Sequence, residues 1–208
     1  ISSAIGDEDA LRLVRARGIE MAKAAALSPA GMSAVLGGDR EVVLKKLEEL
    51  KLVAANDNGG GQIVAAGDLA ALAALSENPP EGARVRALAV AGAFHTSFME
   101  PAVEPLRTLA ATIQTAPTTI SVISNKDGEV VSDGAQVLTR IVNQIANPVR
   151  WDLCMQTLKN LGVTGVIELP PAGTLVGLLK RGAPEIETFA LKSADDLSAA
   201  KEFAGRHA

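Results

Sequence analysis

The sequence predicts an α/β protein that carries a smaller ferredoxin-like unit inside it, and three observations support this. Strand-like and helix-like segments alternate through residues 97–191, the rhythm of a mainly parallel sheet covered on both faces. Residues 31–90 follow the order β-α-β-β-α-β, a split βαβ arrangement. A helical pattern over residues 7–25 has no strand before it, so the smaller unit reads as an insertion after that helix. The expected boundaries are 1–27 and 91–208 for the larger unit and 28–90 for the inserted one.

Each element has a local cause. Asp7, Glu8 and Asp9 place acidic side chains at a helix start, and apolar residues then recur at Ala10, Leu11, Val14, Met21 and Ala22. Residues 32–36 form an apolar run ended by Gly37-Gly38, and residues 40–50 alternate charge with Val43, Leu44 and Leu47, so strand then helix is expected. Two short strands, 52–55 and 62–66, flank Asn56-Asp57-Asn58-Gly59-Gly60-Gly61, a turn tolerant of positive φ. Asp68 caps a helix to about Ser76, Asn78-Pro79-Pro80 breaks the chain, and an alternating segment opens at Arg84. Beyond it come a helix over 97–112, a strand over 120–124, a hairpin-like turn at 125–128, and helices over 133–145 and 151–161. A buried strand over 163–169, a turn at 170–173, a helix from Thr174 and a strand over 187–191 complete the pattern.

Composition excludes several classes. Of 208 residues, 48% are hydrophobic and 21% charged, enough for one large core or two small ones and too apolar for disorder. The longest apolar stretch, residues 87–94, is far below the roughly 18 residues of a spanning helix. Cys154 is the single cysteine and lacks neighbours at ligand spacing, so neither a disulfide nor a metal site is expected, and the compartment reads as reducing cytoplasm. Twenty basic against twenty-four acidic residues and only 2% aromatics argue against nucleic-acid binding. The chain opens on Ile1 rather than Met, so a longer parent chain is expected.

Few residues are candidates for chemistry. His95 follows Gly92-Ala93-Phe94 at the end of an apolar segment, where open α/β sheets bind ligands; it reads as a catalytic imidazole or as the cap of the next helix. Arg17 lies at the edge of the apolar arc of the first helix. It either extends its head to water, pairs with a carboxylate, or clamps a substrate carboxylate with its planar fork. Gln144 and Asn147-Pro148 read as helix termination, and Gly59-Gly60-Gly61 lacks the spacing and lysine of a phosphate loop. No Gly-x-Ser-x-Gly elbow occurs; Gly31-Met32-Ser33-Ala34-Val35 lacks the second glycine.

Five fragments in register nevertheless match one family. Leu11 to Gly18 with Met21, Asn56-Asp57-Asn58 with Gln62, Gly92 to Thr96 with Met99, Asn147 to Trp151, and Gly173-Thr174-Leu175 with Gly177-Leu178 resemble the malonyl-CoA:acyl-carrier-protein transacylase family over residues 7–195. The resemblance implies an α/β-hydrolase-like large subdomain, incomplete at its N-terminus, with the ferredoxin-like unit inserted. It implies transfer of malonyl from malonyl-CoA to the phosphopantetheine thiol of an acyl carrier protein through a seryl ester, with no bound cofactor. His95 then serves as acid and base, and Gln144 orients it through a main-chain carbonyl. Arg17 pairs with the malonyl carboxylate, Met21, Phe94 and Met99 line the acyl pocket, and Asn58 and Gln62 line the cleft. The family's serine elbow and its oxyanion-hole glutamine lie upstream of residue 1, so the serine is expected outside these 208 residues. Smaller departures are Gly59-Gly60-Gly61, where the family commonly has proline, and Pro170-Pro171-Ala172-Gly173, where Gly-Pro-Gly is commoner. A monomer is expected. The competing reading is a non-catalytic fragment or a carrier-protein-binding module.

Overall fold

The computed structural model describes residues 2–208; residue 1, which opens the larger expected unit, lies outside them. The chain runs α1 (Asp7–Ala25), β1 (Ala30–Gly37), α2 (Arg40–Glu49), β2 (Val53–Asp57), β3 (Gln62–Asp68), α3 (Leu69–Glu77) and β4 (Ala83–Ala87). It continues through α4 (Glu100–Ala110), β5 (Val122–Ile123), β6 (Val130–Val131), α5 (Gly134–Asn143), β7 (Val149–Arg150) and α6 (Trp151–Asn160). β8 (Gly165–Glu168), α7 (Thr174–Gly182), β9 (Glu187–Ala190) and α8 (Leu197–Arg206) follow.

The middle of the chain folds as its pattern dictates. Asp39 caps α2 by accepting from the Glu41 and Val42 amides, and Asp68 caps α3 from Ala70 and Ala71. The strands pair antiparallel in the order β4-β1-β3-β2, which is the ferredoxin-like sheet. Val35, Leu47, Leu52, Leu72 and Leu75 bury one sheet face under α2 and α3. Met32, Ala55, Val64 and Ala66 bury the other against Phe94 and Phe98, so both faces are covered and β1 shows a run of buried residues rather than alternation. β7 adds to β2 in parallel, with Asn56 opposite Val149 and Asp57 opposite Arg150, so this sheet reaches outside residues 28–90.

Elsewhere the sheet differs from expectation. β5 pairs only with β6, antiparallel, and β8 only with β9, parallel, among the described residues. No continuous parallel sheet joins them: a cavity lies between the two pairs, lined by Val122, Ile123 and Val166 among others. β4 stops at Ala87, and residues 88–96 leave the sheet edge irregularly instead of continuing to Gly92. At Gly92 this segment presses on α1, where a Cβ would sit 2.8 Å from the Ala25 Cβ. β6 and α8 lie where no pattern was read. His207 bonds Thr164 through Nδ1 at 2.9 Å and packs 4.5 Å from the Phe203 ring. No helix among the described residues is long and apolar enough to cross a membrane.

α1 packs on α4 through Leu13, Met21, Met99, Ala102 and Leu106, the main core outside the ferredoxin-like sheet. Glu168 ends β8 as a buried carboxylate that accepts from the amides of Gly173 and Val176 with one oxygen and Leu175 with the other, at 2.8–3.0 Å. Burial pushes this carboxyl up, but the amides of Val176, Leu175, Gly173 and Thr174 more than offset that and hold it below the ordinary carboxylate range. Because the native state favours the carboxylate, its contribution is present above the unfolded-state value and is lost as pH falls through the folded one. Glu168→Gln should therefore lower the unfolding free energy by about 1–3 kcal/mol at neutral pH, with the difference shrinking in acid, as read from urea melts of the two proteins.

Candidate active site

His95 is held by two carbonyls of one turn. The 3-10 turn Gln144–Ala146 follows α5 and presents the Gln144 oxygen 2.9 Å from His95 Nδ1 and the Ile145 oxygen 3.1 Å from the His95 backbone nitrogen. A carbonyl only accepts, so Nδ1 carries the proton and Nε2 presents its lone pair. This geometry needs His95 at φ 61, a left-handed conformation rare for residues other than glycine. Thr96, buried beside it, donates Oγ1 to the Ala93 oxygen at 2.6 Å and accepts from the Phe98 amide, which fixes the turn into the Ser97–Met99 helix. His95 therefore does not cap the following helix; Thr96 does.

Burial pushes the His95 pKa below its ordinary value, the Gln144 carbonyl opposes the shift, and the positive charge of Arg17 adds to it. Arg17 comes from α1 and is half-buried. Its Nε is buried with no hydrogen-bond partner among the described residues, and its Nη2 reaches only Gln144 Oε1 at 3.5 Å. Burial lowers the guanidinium pKa as well. A desolvated guanidinium with spare donors is a receptor for an anion.

His95, Gln144, Phe94 and Asn58 share one cavity of about 790 Å³, with Asn56, Trp151, Cys154 and Leu175 also on its wall. The Trp151 indole N–H, buried there, has no partner among the described residues. Arg17 joins this group through Gln144. Met21 and Met99 are 7% and 0% exposed in the α1–α4 core and lie behind the site rather than on the cavity wall. Gln62 points to α7, where its Oε1 accepts from Arg181 Nη2 at 3.0 Å. Asn56, on β2 two residues before Asn58 in the turn that follows, is a further wall residue that the sequence pattern did not single out. Trp151 carried no local signal, because only the fold brings α6 to this wall. Cys154 is buried, its thiol is pushed up to about 11 chiefly by burial, and it donates to the Ser124 oxygen, so it stays protonated and unreactive at neutral pH. Among the described residues no cluster of His, Cys, Asp or Glu is placed to hold a metal ion.

The cleft thus presents a neutral imidazole with a free Nε2 lone pair on a mainly apolar wall, and behind Gln144 a guanidinium with a spare donor. The acyl transferase domain model matches residues 1–202, and the chain belongs to that family. It is 53% identical over 197 residues to the malonyl CoA-acyl carrier protein transacylase of Mycobacterium tuberculosis, covering 95% of this chain and 65% of that protein. The crystal structure of MCAT from Mycobacterium tuberculosis superposes with a TM-score of 0.91 at 52% identity, over 95% of this chain and 66% of that one. A malonyl-transacylase solved in complex with a type II PKS acyl-carrier protein gives a TM-score of 0.87 at 27% identity, over 97% and 67% of the two chains. The chain spans about 65% of the length of the first curated relatives it matches.

The depressed His95 pKa has a direct test. In NMR titration the His95 imidazole should protonate below 6.5, its ordinary value, and Arg17→Ala should raise that midpoint by removing the neighbouring charge.

Proposed function

We propose that the protein transfers a malonyl group from malonyl-CoA to the phosphopantetheine thiol of an acyl carrier protein, with His95 as acid and base and Arg17 as the carboxylate clamp. The observation that carries this reading is the pairing of the Nδ1-anchored His95 with a buried, partnerless Arg17 nitrogen next to Gln144. A seryl hydroxyl supplied from outside these 208 residues loses its proton to His95 Nε2 and attacks the thioester carbonyl. CoA leaves as the thiol with that proton, and malonate's second carboxylate stays on Arg17. In the second half the carrier thiol gives its proton to Nε2, its sulfur attacks the ester, and the serine recovers the proton. Gln144 does for the imidazole what a carboxylate does in a Ser-His-Asp triad, since fixing the tautomer requires only an acceptor.

The wider cleft supports an external serine-bearing segment. Among the described residues β5 pairs only with β6 and β8 only with β9, Val122, Ile123 and Val166 of these strands line the cavity, the Trp151 N–H there has no acceptor, and Leu11 and Val14 on α1 are 73% and 67% exposed. In this reading residues 1–27 and 91–208 form the acyl-transferring body and 28–90 the inserted unit that supplies Asn58 and, through the Gln62–Arg181 bond, closes on α7. Phe94 lies on the acyl pocket, and Met21 and Met99 support it from the core. The enzyme works as a cytoplasmic monomer without a bound cofactor, and carries no nucleic acid or membrane.

Intact-protein mass spectrometry after incubation with malonyl-CoA tests the reading. A chain extended to the full length of its relatives should gain one malonyl group, and the 208-residue chain alone should gain none. No adduct on the extended chain leaves a carrier-binding module as the better description. In the extended protein His95→Ala should slow acylation more than about a hundredfold. Arg17→Ala should cost malonyl transfer about tenfold to a hundredfold while sparing acetyl transfer, because only malonyl carries the second carboxylate; equal loss for both acyl groups removes the clamp.

A further inference from the structure

The two walls of the His95 cleft meet at one short seam. Asn56 comes from β2 and Asn58 from the turn that follows it, and Gln144 and Trp151 from the turn and helix flanking β7. β2 and β7 pair over only two residues, Asn56 with Val149 and Asp57 with Arg150. Parallel neighbours in register project from the same sheet face, so Asp57 and Arg150 stand side by side. A two-residue ladder is too short to hold register by backbone bonds alone.

Charges reinforce it. Asp57 is 6% exposed, yet its carboxylate accepts from Arg40 Nε at 3.0 Å and from the Gly59 amide at 3.3 Å. Arg150 holds Asp152 with two bonds of 2.9 and 2.7 Å. Those bonds, and the nearby Asp57 charge, raise the Arg150 pKa. The series Arg40, Asp57, Arg150, Asp152 alternates in sign from α2 across β2 and β7 into α6. The Arg150 amide also bonds the Asn125 oxygen at 2.7 Å, which ties β7 to the loop after β5.

The chain from β7 back to the imidazole is short. Val149 is buried, Asn147 and Pro148 separate it from the Gln144–Ala146 turn, and that turn supplies both carbonyls that hold His95. α5 fixes the turn at one end, and β7 fixes it at the other.

We infer that Asp57 is a positioning residue for His95: its buried carboxylate, paired with Arg40 and standing opposite Arg150 in the β2–β7 ladder, keeps β7 on β2 and thereby holds the Gln144 carbonyl on Nδ1. The inference rests on His95 as the acyl-transfer imidazole, but it is read from the imidazole itself, so failure of acylation and failure of the seam are separate results.

The experiment is 15N NMR of the histidine rings in the 208-residue chain, which has only two histidines. The native protein should show His95 as the Nδ1–H form alone. Asp57→Asn keeps the shape and the acceptor for Gly59 but removes the charge; it should bring in the Nε2–H form that free imidazole prefers, while circular dichroism still reports a folded chain. A folded Asp57→Asn protein that retains the pure Nδ1–H signature overturns the proposal, even if its melting temperature drops, because Asp57 is then structural only. Should Asp57→Asn fail to fold, Arg40→Gln, a change at a half-exposed side chain, takes its place with the same two outcomes.

Discussion

One hydrogen bond organises the molecule's chemistry: the His95 ring to the Gln144 main-chain oxygen. It settles which ring nitrogen keeps its proton and which is free to take another. It also constrains the backbone. His95 is held at positive φ so that its amide reaches Ile145 while its ring reaches Gln144, and both acceptors belong to a single helical turn at the end of α5. Strain of this kind, of order 1–3 kcal/mol, persists only where surrounding structure over-determines it. Thr96, fully buried and bonded on both sides, and Gly92, pressed against α1, provide that surrounding structure.

Two desolvated groups of the same sign type share this corner. Arg17 and His95 each lose affinity for a proton through burial, and Arg17 further discourages His95 from becoming positive. The result is an imidazole kept neutral and a guanidinium kept short of partners. An anion entering the cleft relieves the second condition and softens the first. The charge of a bound anion and the proton affinity of His95 are therefore coupled through low-dielectric space.

The ferredoxin-like unit is more than an ornament on this site. Its sheet is buried on both faces, one by its own helices and the other by the segment that carries Phe94 and His95. Its β2–β3 turn has glycines at positive φ against Met155 and Arg181, where any Cβ at Gly59 would meet the Met155 Cε at 2.7 Å. Gly59 and Gly60 here serve a close approach to α6 and α7. Asn58 reaches the cleft because the turn can lie this near the neighbouring helices.

Local pattern was enough for most elements. The bounds of α1, α2 and α6, the start of α7, and the split βαβ order follow from first-turn charge, periodicity and glycine breaks, which are short-range properties. His95, Arg17 and Gln144 were legible only because five spaced fragments fell into a family's register, since position alone left each with an ordinary structural explanation. Tertiary structure decided what spacing cannot encode: that Gln144, 49 residues from His95, offers its carbonyl to the ring, that Met21 and Met99 lie in core rather than on the cavity wall, and that Gln62 turns to Arg181. It also showed β5 and β8 separated by a cavity where an alternating pattern implied one sheet. The physical reason is the same in each case. Caps and periodicity depend on residues a turn apart, whereas strand neighbours, carbonyl acceptors and cavity walls are chosen by contacts between elements distant in the chain.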